Sequence, residues 1–397
     1  MKKMLRRGAA LVLCVCVTAA GMLARQAAAL PDTFYGEGAE LSVAAYPWLT
    51  PLESRRQPVE LTARGSSRNV TLSLFGKVPV KTVRMVQSQR RRLVVLGTPF
   101  GMKMFSDGAM VVGFTDVETG RGLCNPAQEA GLKLGDLLVS LNGQTELNNE
   151  AVAQAVAESA GQPLRIVYRR DGETASAVVT PVFDADSESW RAGMWVRDSS
   201  AGVGTMTFAD PIQGTYGGLG HAISDADTGE SITLRTGEVV PVDIVGLVRG
   251  TQGDPGELRG VFSSEPAIGS ILVNDVTGVY GCITGTLPQG QEMEVAFIQE
   301  VEPGPAQILT TVEGRTPQAY EVVIEKVTLN GKDENRNLIL RVTDEVLLEK
   351  TGGIIQGMSG SPIVQNGRLV GAVTHVMVND PTQGYGIFIE NMLDAAE

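Results

Sequence analysis

The chain has 397 residues, which is long enough for about two domains with cores of their own. Its apolar fraction of 43% is ordinary for a globular protein, and its net charge of −12 argues against a nucleic-acid-binding surface. Only two histidines are present, so any histidine-dependent chemistry rests on His221 or His375. The four cysteines show no Cys-x-x-Cys spacing, which argues against a zinc or redox site. We therefore expect no metal and no cofactor.

Residues 1–29 have the pattern of a signal peptide or membrane anchor. Basic residues in the first seven positions precede residues 8–24, which carry no charge, and three alanines at 27–29 offer a cleavage site. The length is compatible with either reading. Both place the rest of the chain outside the cytoplasm, because the N-terminus is basic.

Residues 30–84 predict a linker or small β element, with strands at 70–75 and 78–83. The basic cluster Arg90-Arg91-Arg92 that follows predicts a solvated face, with contact to anionic lipid as the alternative.

Residues 85–182 mix helical and strand patterns. A short helix is predicted to end at Gly131, a strand to run to Leu141, and an alanine-rich helix to cover residues 150–159. Strands are predicted at 164–168 and 176–181. The order of these elements and the run Pro126-Ala-x-x-Ala-Gly-Leu-x-x-Gly-Asp136 resemble a PDZ domain, an α+β fold.

The resemblance to PDZ domains implies a peptide-binding site. Its carboxylate-binding loop maps to Phe100, Gly101 and Met102, whose backbone N–H groups are expected to hold a peptide C-terminus. The bound peptide adds as a strand beside the helix at about 148–160. A PDZ fold that serves only as a spacer is the alternative.

Residues 183–397 are rich in short apolar runs separated by Gly, Asp and Asn. Asn366-Gly367 between two such runs predicts a tight hairpin. The spacing of the runs predicts a β-barrel or sandwich, so the chain as a whole is expected to be mainly β.

One motif in this region is typical of a nucleophilic serine. Gly357-Met-Ser359-Gly360-Ser-Pro362 places a serine between glycines, where side chains do not block access. The backbone N–H groups of Gly357 and Ser359 are predicted to converge on an oxyanion, as in trypsin-like enzymes. The motif differs from the nucleophile elbow of the α/β-hydrolases, which needs glycine two residues after the serine. An inert surface turn is the alternative.

A serine nucleophile needs a base, and the base needs an orienting partner. His221 follows Gly218-Leu-Gly220, which predicts an exposed strand end and favours it as the base, whereas His375 lies within a strand and is expected to line the cleft wall. The residue pattern does not choose among the aspartates at positions 225, 227, 243, 254, 275, 333 and 344.

Several long motifs resemble the stage IV sporulation protein B peptidase family of endospore-forming Firmicutes. They are Gly218-Leu-Gly-His-Ala-Ile-Ser-Asp225, Thr351-Gly-Gly-Ile-Ile-Gln-Gly-Met-Ser-Gly-Ser-Pro362 and Gly371-Ala-Val-Thr-His-Val-Met-Val-Asn-Asp-Pro381. The resemblance implies a PDZ-containing serine endopeptidase with a trypsin-like β-barrel domain at residues 183–397. It implies the triad Ser359, His221 and Asp344.

The resemblance also implies a task in sporulation. The family's peptidase is exported from the forespore into the space between the two forespore membranes, at first associated with membrane. It cleaves itself and then a regulatory subunit of the metalloprotease complex that processes pro-sigma-K. The PDZ domain is expected to recognise protein partners, and a secreted inhibitor protein restrains the enzyme.

Three alternatives are weaker. A non-enzymatic PDZ scaffold leaves the serine motif unexplained. A quality-control protease usually has its protease domain before the PDZ domain, whereas this chain has the reverse order. A Ser/Lys processing peptidase could use Lys350, but the glycines around Ser359 and the presence of His221 argue against it.

Overall fold

The structure is a computed structural model, and it describes residues 30–37, 49–52, 60–62, 65–225, 227–229, 231–286 and 289–396. The predicted signal peptide or anchor, residues 1–29, lies outside the described residues. None of the helices in the described part is long and apolar enough to cross a membrane. The described chain is mainly β, which confirms that prediction.

A small sheet forms the N-terminal unit. Its strands are β1 (Thr33–Gly36), β2 (Leu49–Leu52), β3 (Glu60–Thr62), β4 (Gly65–Leu74) and β5 (Val78–Gln87). β4 and β5 contain the predicted strand pair, and β1 joins β5 in parallel. Phe34, Leu72 and Met85 are buried between them because the alternating apolar positions share one face.

The predicted solvent exposure of the basic cluster is wrong for its first residue, Arg90. The Arg90 side chain is only 6% exposed, pairs with Glu300 at 2.8 Å and lies over the ring of Phe297. Gln299 also bonds the backbone of Tyr35 in β1. These contacts attach the N-terminal sheet to the remainder of the chain.

Strand β6 (Arg92–Phe114) has 23 residues and is the longest element in the described chain. It runs from the body of the molecule into the PDZ module. Gly108 lies where β6 enters that module. The position has no room for a side chain, because a β-carbon there would lie 2.4 Å from the Leu138 carbonyl oxygen. A larger residue there would separate β6 from its neighbour.

The PDZ module follows the predicted order of elements. Its elements are β7 (Val117–Thr119), β8 (Gly122–Cys124), α1 (Pro126–Glu129), β9 (Leu137–Leu141), α2 (Asn149–Glu158), β10 (Leu164–Arg170), β11 (Glu173–Val179), β12 (Val182–Asp184) and β13 (Ser189–Arg191). Asn125 and Asn148 cap the two helices with their side-chain oxygens. The buried Asp136 accepts a 2.6 Å bond from Arg170, which fixes the turn before β9.

The chain then returns along β6 and builds a first barrel. The new strands are β14 (Met194–Asp210), β15 (Thr215–Gly218), β16 (Leu234–Val248), β17 (Glu257–Phe262), β18 (Gly269–Asp275), β19 (Gly278–Ile283) and β20 (Gln291–Glu294). Pairing runs from β6 through β14, β15, β19, β18 and β16 and back to β6. Buried Phe100, Met102, Tyr216 and Val239 lie in its core.

A second closed barrel follows a short 3-10 helix (Ile298–Glu300). It consists of β21 (Gly304–Thr310), β22 (Gln318–Val327), β23 (Leu338–Val342), β24 (Pro362–Gln365), β25 (Arg368–Val376) and β26 (Gln383–Phe388), with helices α3 (Glu345–Thr351) and α4 (Ile389–Ala395). The predicted hairpin turn at Asn366-Gly367 joins β24 to β25, and both residues have left-handed backbones.

The first barrel includes residues on both sides of the PDZ module. β6 and β14 pair along their whole lengths, from Met194 opposite Phe114 to Ala209 opposite Val94. Their inner halves belong to the barrel and their outer halves reach the PDZ module, which is therefore an insertion between the first two barrel strands. The predicted boundary between 182 and 183 separates β6 from the other strands of its barrel, and the predicted boundary at 85 falls inside β5.

The insertion also corrects the predicted carboxylate-binding loop. Phe100, Gly101 and Met102 lie inside β6, paired on one side with β14 and on the other with β16. The side chain of Phe100 is fully buried and that of Met102 nearly so. These residues are barrel core, and their backbone faces neighbouring strands on both sides.

Candidate active site

The nucleophile loop, residues 352–361, connects α3 to β24 in the second barrel. Gly357 and Gly360 adopt left-handed backbones, with φ of 94° and 92°, on either side of Ser359. This conformation requires glycine at both positions. The Ser359 side chain is half-buried, and its hydroxyl donates a 2.6 Å hydrogen bond to the carbonyl oxygen of Thr374 in β25.

The predicted oxyanion donors are available in this loop. Within the described residues, the N–H groups of Gly357 and Ser359 have no backbone acceptor. The neighbouring amides do have acceptors: Gly360 donates to Val373 at 2.7 Å and Ser361 to Met358 at 2.9 Å. The two free amides are those that the Gly-x-Ser-Gly motif predicts for an oxyanion.

Ser361 is the second serine of the motif and has a structural role. Its side chain is fully buried, and its hydroxyl donates to the carbonyl of Met358 at 2.6 Å. Solvent and substrate do not reach it. Ser359 is therefore the serine in this loop that is open to a substrate.

The first barrel holds the nucleophile loop through β14. Thr205 donates from its backbone N–H to the Ser359 carbonyl at 3.0 Å and from its hydroxyl to the Gly357 carbonyl at 2.9 Å. Thr207 donates to the Gly360 carbonyl at 2.7 Å. Two threonines of one barrel thus bind three backbone carbonyl groups of the nucleophile loop in the other.

His221 lies in the histidine loop, residues 219–233, between β15 and β16. The two residues before it, Leu219 and Gly220, both have left-handed backbones, with φ of 66° and 70°. The loop therefore turns sharply before His221, and the Leu219 amide reaches the Thr205 carbonyl at 3.3 Å. A β-carbon at Gly220 would lie 2.8 Å from the Thr374 side chain, so the loop approaches the second barrel closely.

The ring of His221 is oriented by its own backbone. Its Nδ1 lies 2.8 Å from the carbonyl oxygen of Ala222, and since a carbonyl only accepts, Nδ1 carries the proton. Nε2 is then an acceptor, which is the form a general base needs. Burial lowers the pKa of His221 below its ordinary value of 6.5, so the ring is neutral at pH 7.

Two contacts stiffen the histidine loop. The Asn274 amide group accepts from the Ile223 N–H at 2.7 Å and donates to the carbonyls of Ile223 and Ile232. Asp225 accepts a 2.6 Å bond from Arg197. Burial alone would raise the pKa of Asp225, but the bonds from Arg197 and the Thr228 amide lower it. Asp225 is thus committed to Arg197 and the loop backbone.

His375 lies at the end of β25, directly after Thr374. Its ring centroid is 4.9 Å from that of His221, and the two planes are tilted by 34°. Burial, the His221 ring and the charge of Arg336 lower the pKa of His375 to about 4. Its Nδ1 is buried and has no hydrogen-bond partner among the described residues.

The structure does not bring Asp344 to His221, contrary to the predicted triad. Asp344 is the N-cap of α3, and its carboxylate accepts from the amides of Leu347 at 3.0 Å and Glu321 at 3.3 Å. The start of β23, Leu338, faces Gly386, which in turn faces Val373 beside the site. Asp344 follows the other end of β23, two residues after Val342.

Two of the other aspartates that the sequence left open are engaged elsewhere. Asp243 pairs with Arg315 at 2.7 Å, and Asp275 accepts from Thr277 in the turn after β18. Among the described residues, no aspartate or glutamate hydrogen-bonds His221. The Ala222 carbonyl is the group that fixes its tautomer.

Comparison with known families identifies the chain. A family model described as SpoIVB peptidase S55 matches residues 188–393, more than half of the sequence. The chain belongs to the SpoIVB peptidase S55 family. It is therefore a serine peptidase, and a second family model, a PDZ domain, matches residues 125–170. A comparison with curated proteins finds no match.

Solved structures share local similarity with this SpoIVB-family peptidase. The PDZ domain of the SdrC-like protein from Listeria monocytogenes is 18% identical, over 23% of this chain and 87% of that one, with a TM-score of 0.19. The active form of the Rv3671c protease from M. tuberculosis is 15% identical, over 49% of this chain and 73% of its own, with a TM-score of 0.31.

Sequence reasoning missed the residues of this SpoIVB-family peptidase that hold the nucleophile loop and the histidine loop in place. Thr205, Arg197 and Asn274 contact the two loops from strands distant in sequence. No local sequence pattern identifies them, because single polar residues such as these are common in strands. The one available signal is that threonine occurs at both 205 and 207, two alternate positions that lie on the same face of β14.

Proposed function

We propose that this serine peptidase uses Ser359 as its nucleophile and His221 as its general base, in a trypsin-like arrangement between two barrels. Thr205 carries the proposal, because it bonds both loops at once: its N–H and hydroxyl bind the nucleophile loop, and its carbonyl accepts from Leu219, two residues before His221. A single residue thus holds the serine and the histidine in register.

The proposed reaction is acyl transfer to the serine followed by hydrolysis. The Ser359 hydroxyl leaves the Thr374 carbonyl and gives its proton to Nε2 of His221 as it attacks a peptide carbonyl. The Gly357 and Ser359 amides hold the oxyanion. His221 then protonates the leaving amine, and a water molecule activated by the same ring hydrolyses the acyl-enzyme.

The Ala222 carbonyl takes the orienting role in this proposal. It fixes the Nδ1–H tautomer of His221 and favours the charged ring that forms in the transition state. A neutral carbonyl stabilises an imidazolium less than a carboxylate does. The turnover number is therefore expected to lie below that of an enzyme with a buried aspartate.

We further propose the family's role in sporulation. The peptidase is exported from the forespore to the intermembrane space by residues 1–29, cleaves itself in its N-terminal region, and then cuts a membrane-bound regulatory subunit of the metalloprotease complex that processes pro-sigma-K. The PDZ module delivers protein partners to the cleft, and a secreted inhibitor restrains it. Membership of the SpoIVB family supports this role.

Expression of the wild type and Ser359→Ala side by side tests the proposal. The wild type is expected to lose mass from its N-terminal side, and Ser359→Ala to stay full length, as read by intact mass. Mixing the two proteins separates self-cleavage in one molecule from cleavage between molecules. Equal shortening of both proteins would assign the cuts to another protease.

The substrate is tested by the same pair of proteins. Each is co-expressed with the regulatory subunit in a host that does not sporulate, and the subunit is followed by immunoblot. Cleavage by the wild type alone supports the proposed task. An uncut subunit in the presence of a self-cleaving peptidase would remove the substrate assignment and leave the catalytic one.

A further inference from the structure

The chain has two histidines, and the fold brings them together from different barrels. His221 follows β15 of the first barrel and His375 ends β25 of the second, yet their ring centroids are 4.9 Å apart. The proposed mechanism uses His221 and gives His375 no chemical step. The second imidazole, that of His375, is therefore a candidate for a separate role.

We propose that His221 and His375 together form a binding site for an exchangeable Zn²⁺ ion, which occupies the lone pair of the catalytic base and inhibits the peptidase reversibly. The inhibition rests on the proposed role of His221. The binding itself does not, because it depends only on the two rings.

The ring separation fits a shared metal ion. Zinc binds imidazole nitrogen at about 2.1 Å, which places each ring centroid about 3.2 Å from the ion. At a tetrahedral angle two such centroids are about 5.2 Å apart. The observed 4.9 Å is close to this value, so a shared ion requires little movement of either barrel.

The hydrogen bonding of His221 is that of a metal ligand. Histidines that bind metal usually donate the other ring N–H to a carbonyl or carboxylate, which fixes the tautomer and presents the remaining lone pair. Nδ1 of His221 lies 2.8 Å from the Ala222 carbonyl oxygen in this way. The same lone pair on Nε2 serves catalysis or zinc, and it cannot serve both.

His375 provides the second, independent observation. Its Nδ1 is buried and has no hydrogen-bond partner among the described residues. A buried nitrogen without a partner carries a free-energy cost that a ligand can relieve.

The surroundings limit the affinity. The described residues hold no group of three or more His, Cys, Asp and Glu side chains that could bind a metal, and Arg336 places a positive charge near His375. Water and the nearby Ser359 hydroxyl are left to complete the shell. We therefore expect an exchangeable ion bound in the micromolar range and not a structural zinc. Mg²⁺ should not bind, because it prefers oxygen ligands.

Calorimetric titration of ZnCl₂ into full-length Ser359→Ala at pH 7 tests the site without any need for activity. The expected result is one ion per chain, with binding at least about tenfold weaker in Ser359→Ala/His375→Gln and in Ser359→Ala/His221→Gln. MgCl₂ is the control salt. Circular dichroism spectra of each protein show whether the substitutions preserve the fold.

Several outcomes decide the proposal. Absence of binding at micromolar zinc, or binding that persists in both histidine variants, would overturn it and in the second case point to the four cysteines. If Ser359→Ala binds zinc as expected, the wild type should lose self-cleavage at the same concentrations and regain it with EDTA. Zinc binding by a protein that never cleaves itself would support the site while refuting the catalytic proposal.

Discussion

Thr205 links the two halves of the site with three hydrogen bonds. Its N–H, hydroxyl and carbonyl contact Ser359, Gly357 and Leu219, respectively. Since a backbone group provides two of these bonds, the side chain at 205 adds only the third. The precision of the site thus depends on the path of β14 more than on the chemistry of its side chains.

Asp344 allows a sharp test of the third catalytic role. Asparagine caps helices about as well as aspartate, so Asp344→Asn should unfold at the wild-type temperature and retain self-cleavage within about tenfold. Asp344→Ala should lose about 1 kcal/mol of stability through the missing cap. Thermal unfolding and intact mass measure the two effects.

A different result for Asp344→Asn would restore the triad. Loss of self-cleavage by a factor of about 10⁴ in a stably folded Asp344→Asn protein is what removal of an orienting carboxylate produces. The structure would then represent a resting form in which α3 still holds the carboxylate.

The pH dependence of the peptidase should reflect the burial of His221. A general base acts only when neutral, so activity falls as the pH drops through its pKa. Because burial lowers the pKa of His221 below 6.5, the acid limb of kcat/KM should lie below pH 6.5. Cleavage of a peptide spanning a self-cleavage site, followed from pH 4 to pH 9, provides the profile. A limb above 6.5 would indicate a negatively charged partner for the ring.

At the scale of elements, two turns present the reacting groups. Gly357 and Gly360 surround Ser359, and Leu219-Gly220 precedes His221, all with left-handed backbones. Gly360 is the most constrained, since a β-carbon there would lie 1.9 Å from the Thr205 carbonyl oxygen. The seam between the barrels therefore has no room for a side chain at this position.

Gly360→Ala should therefore separate the nucleophile loop from β14. We expect a loss of about 3 kcal/mol or more in the free energy of unfolding, from backbone strain and the clash together. Gly367→Ala is the matched control: its φ of 74° is also left-handed, but no atom lies within 4 Å of the added carbon. It should lose about 1 kcal/mol. Equal losses of unfolding free energy for the two variants, measured in urea, would contradict the predicted close contact between Gly360 and β14.

Local chemistry made part of this molecule predictable. The PDZ helices and strands, the hairpin at Asn366-Gly367 and the glycine turn around Ser359 follow from residues close together in sequence. The prediction of a binding loop at Phe100-Gly101-Met102 is wrong because Gly101 lies within a strand, where it packs against Val242 and Phe262. The assignment of Asp344 rests on the family resemblance and not on a local pattern, and in the structure this side chain caps α3.

At the scale of the whole molecule, the PDZ module is attached through the ribbon of β6 and β14. Both strands continue without a linker from the barrel that holds Thr205 into the module. Arg197, near the outer end of the ribbon, also bonds Asp225 in the histidine loop. The PDZ module and the histidine loop thus both contact one structural element, the ribbon of β6 and β14.

Removal of the PDZ module should leave a folded peptidase. Phe105 pairs with Ser199, so an Asn-Gly turn in place of residues 107–197 would join Ser106 to Asp198 as a two-residue hairpin. We expect a soluble protein that reacts with a fluorophosphonate within about tenfold of the wild-type rate, since such loops are tolerated at ribbon ends. Full-length Arg197→Ala is the control, because the deletion also removes that bond. An unfolded product would show that the module is part of the core.

Fluorophosphonate labelling of the intact peptidase, with the modified residue located by peptide mass, decides whether Ser359 is the nucleophile activated by His221. One adduct is expected on Ser359 in the wild type and in Ser361→Ala, and none in Ser359→Ala or His221→Ala. An adduct on Ser361, or labelling that survives the loss of both Ser359 and His221, would contradict it.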